Sequence, residues 1–364
     1  MSDARWMALA LSLGARGLGK VWPNPAVGCV LVRDGRVVGR GATAPGGRPH
    51  AEVVALRQAG DAARGACAYV SLEPCNHTGQ TGPCAQALID AGVARVVVGC
   101  GDPDPRVAGG GIARMRDAGI EVVTGVCEAE ALRVHEGFLS RVREGRPMVT
   151  LKVATSLDGR IATASGESQW ITGPEARRRV HWMRGRHDAV MVGAGTARAD
   201  DPALTVRGMG DVAQPVRVVI SRRLGLPVDS VLGRSAREVP VWLVHGPDAP
   251  AAAREAWSAV GARLLEVTPD ASGQVDADAA LRRLGDEGLT RVFCEGGGAL
   301  AASLLAADAV DRLAVFSGGV MLGAEGTPSV GAMGIAALAE APRFALERVE
   351  QLGPDALSLW RRHT

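Results

Sequence analysis

Apolar positions in the first part of the chain follow two rhythms. Over residues 3–13, Trp6, Met7, Ala10 and Leu11 recur at helical spacing. Two apolar runs, 27–32 and 37–41, flank Asp34-Gly35, a dipeptide suited to a tight hairpin turn. The pattern then predicts a helix over 50–59, a short buried strand over 68–72, a helix over 83–91 stopped by Gly92, and a strand over 95–99. A helix over 111–118, a strand over 121–126 and a helix over 128–142 complete the series. Strands alternating with helices predict a layered α/β domain.

Gly145-Arg146-Pro147 interrupts the rhythm and marks a boundary, giving domains 1–145 and 146–364. A second α/β series follows, with strands over 148–154, 189–193, 215–220, 240–244 and 290–294. A helix is expected over 174–186, with Pro174 in its first turn, and an Ala-rich surface helix over 248–262. There is no internal repeat and no low-complexity tail. A chain of 364 residues accommodates two domains, and no third is required.

Basic and acidic residues nearly cancel, 41 against 39, for a formal charge of +2. That balance argues against a nucleic-acid partner or a membrane surface. No apolar run reaches the length of a spanning helix, and Met1-Ser2-Asp3-Ala4-Arg5 does not open a signal peptide. Seven cysteines, an odd number in a chain long enough to need no staples, point to reduced thiols in the cytoplasm, some available to a metal. Lys20 and Lys152 are the only lysines among the 41 basic residues. Because a compact ammonium is not interchangeable with guanidinium, Lys152, inside an apolar strand, is expected to face a pocket.

The densest chemistry lies in Pro49-His50-Ala51-Glu52, Glu73-Pro74-Cys75 and Pro83-Cys84. One imidazole and two thiolates are good zinc donors, and three protein ligands leave a fourth position open, as catalytic sites do. Both ligand groups fall where a strand or loop turns into a helix, whose N-terminus favours the thiolate form. Zinc in such a site activates water near neutral pH. Glu52, too close in chain to His50 to be an easy co-ligand, is placed to move a proton between that water and a substrate nitrogen. The pattern is the H-x-E…P-C…C signature of zinc nucleobase deaminases, although eight residues separate Cys75 from Cys84 where the common signature has two. A closed structural site with His77 as fourth ligand is the alternative. Cys29, Cys67, Cys100, Cys127 and Cys294 read as buried thiols packing as small hydrophobes.

In the second domain, the segment 193–198 begins like a dinucleotide fingerprint but has Arg198 where the third glycine belongs, so it does not support a Rossmann assignment. Phe293-Cys294-Glu295-Gly296-Gly297-Gly298 is more informative: a buried strand ends in three glycines and a helix follows. Backbone N–H groups at such a turn can approach a phosphate, though a tight turn without ligand has the same sequence.

Further stretches share one pattern with these. They are Pro23-Asn24-Pro25, His50-Ala51-Glu52-Val53, Leu72-Glu73-Pro74-Cys75-Asn76-His77-Thr78-Gly79, Ser156-Leu157-Asp158-Gly159-Arg160, Gly166-Glu167-Ser168-Gln169-Trp170, Asp200-Asp201-Pro202 and Glu295-Gly296-Gly297-Gly298. Across both domains the chain resembles the bifunctional riboflavin-biosynthesis enzymes, in which a pyrimidine deaminase is fused to a ribosyl-reductase. The long spacing between the two cysteines belongs to that family.

The resemblance implies an N-terminal cytidine-deaminase-like α/β/α layered domain and a C-terminal dihydrofolate-reductase-like α/β domain that binds NADPH. It makes His50, Cys75 and Cys84 the zinc ligands, Glu52 the catalytic proton carrier, and Asn24 and His77 substrate contacts. It implies cofactor contacts at Ala154, Trp170, Thr196, Asp200, Ser221 and the run Gly297, Gly298, Ala299, Leu300, Ala301, Ala302 and Ser303. Arg222 competes with Ser221 for the cofactor, since the family commonly has Asp-Ser where this chain has Ser221-Arg222. Substrate contacts are implied at Ser168, Arg184, Leu204, Arg207 and Glu295, and Lys152 is expected to join them at the ribose. Arg184 and Arg207 suit a ribose phosphate, which guanidinium binds bidentately. The implied substrate is a diaminopyrimidinone bearing a ribosylamino 5′-phosphate, first deaminated and then reduced to the ribityl form. Lys152, Asp200 and Glu295 are open candidates for the proton donor in the reduction. A homodimer or higher homo-oligomer is expected. The competing reading is a nucleic-acid or nucleoside deaminase with a non-catalytic ligand-binding second domain. Aromatic residues at 3% and a near-zero charge argue against a nucleic-acid groove.

Overall fold

The computed structural model describes residues 2–78 and 82–363; Gly79, which ends one of the motifs above, lies outside the described residues with Gln80, Thr81, Met1 and Thr364. The chain divides into two compact units, Met1–Gly145 and Arg146–Thr364.

In the first unit β1 (Gly28–Arg33), β2 (Arg36–Ala42), β3 (Cys67–Leu72), β4 (Arg95–Cys100) and β5 (Glu121–Thr124) form one sheet in the order β2-β1-β3-β4-β5. β1 is antiparallel to β2 and β3, whereas β3, β4 and β5 run parallel. β3 and β4 are buried along nearly their whole length, as strands covered on both faces must be. The helices are α1 (Asp3–Ala15), α2 (Ala51–Ala59), α3 (Cys84–Asp90), α4 (Gly110–Asp117) and α5 (Glu128–Glu144). β2 offers Gly39 and Gly41 to α2, and a Cβ on either would overlap the carbonyl oxygen of Ala55 or Ala51. Glycine there lets α2 sit against the sheet backbone, which sets the height of the first turn carrying Glu52.

The second unit contains β6 (Met148–Thr155), β7 (Arg160–Ala162), β8 (Ala189–Gly193), β9 (Val216–Ile220), β10 (Val241–His245), β11 (Arg263–Glu266), β12 (Arg291–Cys294), β13 (Arg312–Ser317), β14 (Thr327–Pro328), β15 (Phe344–Leu352) and β16 (Asp355–Arg362). Nine strands make one sheet, β11-β10-β9-β8-β12-β6-β13-β16-β15, while β7 pairs with β14. The strands from β11 to β13 in that order are parallel, and β16 and β15 add an antiparallel hairpin. Its helices are α6 (Pro174–Arg184), α7 (Ala194–Asp200), α8 (Val231–Arg234), α9 (Ala251–Ala259), α10 (Ala277–Asp286) and α11 (Gly298–Ala306).

The element pattern read from the sequence matches closely in the first unit and loses the end of the second. β15 is exposed over most of its length, so it has no buried-strand signature. The Ala-rich helix is shorter than expected, and it is not purely a surface element, because its Trp257 is fully buried in the core.

Candidate functional site

His50 is the N-cap of α2 and Cys84 the first residue of α3, while Cys75 sits on the loop leaving β3. Their donor atoms all lie within 4.8 Å of one another. His50 Nδ1 is 3.3 Å from Cys84 Sγ and 3.7 Å from Cys75 Sγ, and the Cys84 backbone N–H donates to Cys75 Sγ at 3.3 Å. Such separations are spanned by bonds of about 2.0–2.3 Å to one ion, so two sulfurs and a nitrogen fit zinc. Among the described residues this is the one group of that kind, and His77 is not part of it. The donor set is therefore the open, three-ligand kind rather than the closed one. The Cys84 thiol, hydrogen-bonded to Cys75, draws the Cys75 thiol down to about 4, while Cys84 itself is pushed up.

Glu52, in the first turn of α2, is 3% exposed. Burial, and after it the charge on Cys75, pushes its carboxyl up to about 7, the range in which one group can both take and give a proton. Asn24 Nδ2 donates to the Gly47 carbonyl at 2.9 Å and so pins the loop leading to His50. His77 keeps a buried Nδ1 with no partner among the described residues, which leaves a polar contact for a ligand.

Two acids near this site were given no role from sequence. The Glu73 carboxylate accepts from the backbone N–H groups of Gly109, Gly111 and Ile112 at 3.1, 3.1 and 3.3 Å, and from Asp102 at 3.4 Å. It thereby caps α4 and ties the loop after β4 to the Cys75 loop. Burial pushes the Asp102 carboxyl up to about 6. The available signal was the position of Asp102 just past the C-terminal end of a strand, where open α/β sheets place ligand groups.

In the second unit the register Leu151↔Cys294 brings the ends of β6 and β12 side by side. Lys152 Nζ lies 3.9 Å from Glu295 Oε2. Arg184, from α6, donates to the same carboxylate through Nε at 2.5 Å and Nη2 at 3.1 Å. Burial lowers the Lys152 ammonium from its usual range. Burial works to raise Glu295, but the Arg184 and Lys152 charges outweigh it and hold the carboxylate low. Asp200, at the end of α7, is raised by burial against the pull of Lys152. Leu204 is buried with a positive φ of 53°, and Arg207 on the same loop is exposed.

The glycine turn is tied to α7, since the Gly297 backbone N–H donates to Thr196 Oγ1 at 3.1 Å. A Cβ on Gly298 would come within 2.9 Å of the Pro328 carbonyl oxygen, and one on Gly296 within 2.7 Å of Leu300. This close turn, with the free N–H groups of the first turn of α11, fits a dinucleotide phosphate. Ala301 and Ala302 are 1% and 8% exposed and pack inward, and Ser303 Oγ donates to its own helix at Ala299 O, 3.1 Å.

Ser221 is buried, and its N–H donates to Val244 O at 2.9 Å, whereas Arg222 is ion-paired to Asp248 at 2.9 Å. Ala154 is half-buried near the end of β6. Ser168 and Trp170 lie on the loop between β7 and α6. Trp170 is 68% exposed, with the Arg177 guanidinium 4.5 Å over its ring. Among the described residues neither has a polar contact with the Lys152–Glu295–Arg184 group.

An open zinc site beside a buried acid in one unit and a phosphate-sized glycine turn in the other define a class: a zinc-dependent deaminase joined to a dinucleotide-dependent reductase. Residues 1–100 match the cytidine and deoxycytidylate deaminase zinc-binding region, and residues 147–358 match the RibD C-terminal domain. The chain is 43% identical to riboflavin biosynthesis protein RibD of Escherichia coli K12, over 98% of each chain, and 38% identical to that of Aquifex aeolicus VF5, over 99% of each. Among solved structures it is similar to Acinetobacter baumannii RibD, with 40% identity, TM-score 0.89 and coverage of 100% of this chain and 99% of the other. A Thermotoga maritima diaminohydroxyphosphoribosylaminopyrimidine deaminase/5-amino-6-(5-phosphoribosylamino)uracil reductase is 34% identical, with TM-score 0.86 over 99% of each chain. The chain belongs to the RibD family of riboflavin biosynthesis proteins, bifunctional enzymes with a hydrolytic deaminase and a reductase activity. Zinc and NADPH are the cofactors of the two activities. No helix among the described residues is long and apolar enough to cross a membrane.

Proposed function

We propose that residues 1–145 deaminate 2,5-diamino-6-(ribosylamino)pyrimidinone 5′-phosphate and residues 146–364 reduce the product, giving 5-amino-6-(ribitylamino)uracil 5′-phosphate. The observation that carries this reading is the convergence of His50, Cys75 and Cys84 beside the buried Glu52. When bound, zinc supplies the Lewis acid that activates water for attack at the ring carbon bearing the amine, and NADPH supplies the hydride for C1′ of the sugar. Glu52 takes the proton of the attacking water and hands it to the departing amine. Asn24 and His77 hold the pyrimidine.

In the reduction, Arg184 and Arg207 hold the sugar phosphate, and Lys152 and Glu295 stand at the ribose. Lys152, Glu295 or Asp200 delivers the proton that the opening sugar ring needs. Ala154, Trp170, Thr196, Asp200, Ser221 and the run from Gly297 to Ser303 line the cofactor. The odd count of seven cysteines, in a chain long enough to need no staples, supports a cytoplasmic location. The exposed edge strand β15, with Leu346 and Val349 uncovered, supports a homo-oligomer.

Cys75→Ser tests the first half. Purified protein is expected to carry about one zinc per chain, and the variant to lose zinc and ammonia release together. NADPH oxidation with the deaminated substrate is expected to persist. Full deamination without metal would overturn the assignment.

A further inference from the structure

His181 and Arg184 stand one helical turn apart on α6 and reach the same stretch of backbone. Arg184 Nη1 donates to the Thr205 carbonyl oxygen at 2.8 Å, and the Arg207 backbone N–H donates to His181 Nδ1 at 3.2 Å. Between these two, Gln214 accepts from the Val206 N–H at 2.7 Å and donates to the Val206 carbonyl at 3.2 Å. The segment from Thr205 to Arg207 lies outside any helix or strand, so side chains do the work that a ladder of backbone bonds does elsewhere.

We infer that His181 is a positioning residue of the reductase site, its Nδ1 seating the Arg207 backbone so that the exposed guanidinium is held ready for the sugar phosphate. The inference rests on the reading of Arg207 as a phosphate ligand. A long arginine side chain on an irregular loop loses much freedom on binding, and anchoring its backbone beforehand reduces that loss. Only a neutral imidazole can accept at Nδ1. The groups facing the ring favour that form. Burial and the charges of Arg184, from the same helix, and Arg207, from the loop, lower its proton affinity, against the smaller opposing effects of Glu295, at the end of β12, and of the Thr205 backbone.

The test uses the full chain, with calorimetric binding of ribose 5-phosphate and steady-state reductase kinetics. His181→Ala is expected to weaken ribose 5-phosphate binding by about ten-fold, the size of one lost hydrogen bond. It should raise KM for the reducible substrate while kcat changes little. His181→Asn, whose amide oxygen sits near the Nδ1 position, should restore most of the affinity. His181→Ala added to Arg207→Ala should cost little more than Arg207→Ala alone, because a residue that acts through Arg207 has nothing left to position once that side chain is gone. Wild-type binding in His181→Ala, or full additivity with Arg207→Ala, would overturn the inference. So would loss of NADPH binding in both His181 variants, which would mean a general structural role. If Arg207→Ala by itself leaves ribose 5-phosphate binding unchanged, the phosphate reading of Arg207 falls instead.

Discussion

Glu52 and His187 are both almost fully buried, and burial moves each toward its neutral form: the carboxyl rises to about 7 and the imidazole falls to about 3. For His187 the consequence is a stability term. The ring sits between Met183 O, 2.8 Å from Nδ1, and Thr150 Oγ1, 3.0 Å from Nε2, a pairing that a neutral imidazole satisfies with one donor and one acceptor. Its usual value is 6.5, so between that and about 3 the unfolded chain binds the extra proton and the folded one does not. The stabilisation is complete above pH 6.5 and declines as pH falls below it, by up to about 1.4 kcal/mol per pH unit. Urea unfolding followed by tryptophan fluorescence suits the measurement, because five of the seven tryptophans, Trp170, Trp182, Trp242, Trp257 and Trp360, belong to the second unit. The midpoint is expected to fall from pH 6.5 to pH 5. In His187→Gln it should start lower and depend less on pH. An equal pH slope in both proteins would remove His187 as the cause. None of this was readable from the chain, where His187 is one histidine among seven.

At the scale of elements, the contact of α2 with β2 decides where His50 and Glu52 stand. The two glycines on β2 look like loss of strand propensity in the sequence, yet each lies where a side chain would strike the α2 backbone. Gly41→Val is therefore expected to push the first turn of α2 away from the sheet and spread His50 and Glu52 from Cys75 and Cys84. Zinc content and deamination should fall together, the latter by ten-fold or more on the order of two kcal/mol of lost positioning, while reductase kinetics stay unchanged. Normal zinc loading in that variant would show that the helix can give way. Most strands and helices of this unit were legible because their apolar periods are clean. The cap that Glu73 places on α4 was not, since its hydrogen-bond partners lie some 30–40 positions further along the chain.

At the scale of the molecule, each unit has its own core and its own group of converging polar residues. Two activities on separate cores should fail separately. Glu52→Gln is expected to stop ammonia release with zinc retained, because Glu52 is not a ligand, and to leave reduction of the deaminated substrate near wild type. Lys152→Arg should do the reverse: the larger, planar guanidinium does not fit the buried place beside Glu295 and Arg184. Each purified variant is assayed for both reactions. If Glu52→Gln also abolished reduction while fold and zinc persisted, two independent sites would be the wrong description.

Sequence alone determined the elements whose apolar period is regular, marked Gly145-Arg146-Pro147 as a break in that period, and singled out His50, Cys75 and Cys84 as candidate zinc donors, because few side chains bind that metal and they recur at telling spacings. It also singled out Lys152 through the scarcity of lysine. Tertiary structure decided what depends on long-range contact. It brought the donor atoms of His50, Cys75 and Cys84 to within 4.8 Å of one another, left His77 out of that group, and buried the side chains of Ala301 and Ala302. It joined Arg184, Glu295 and Lys152 from a helix and two strand ends, and set His181 under Arg207. The physical reason is range. Hydrophobic period and residue chemistry are written locally, whereas donor geometry, burial and the resulting proton affinities arise only when distant segments exclude water from one another.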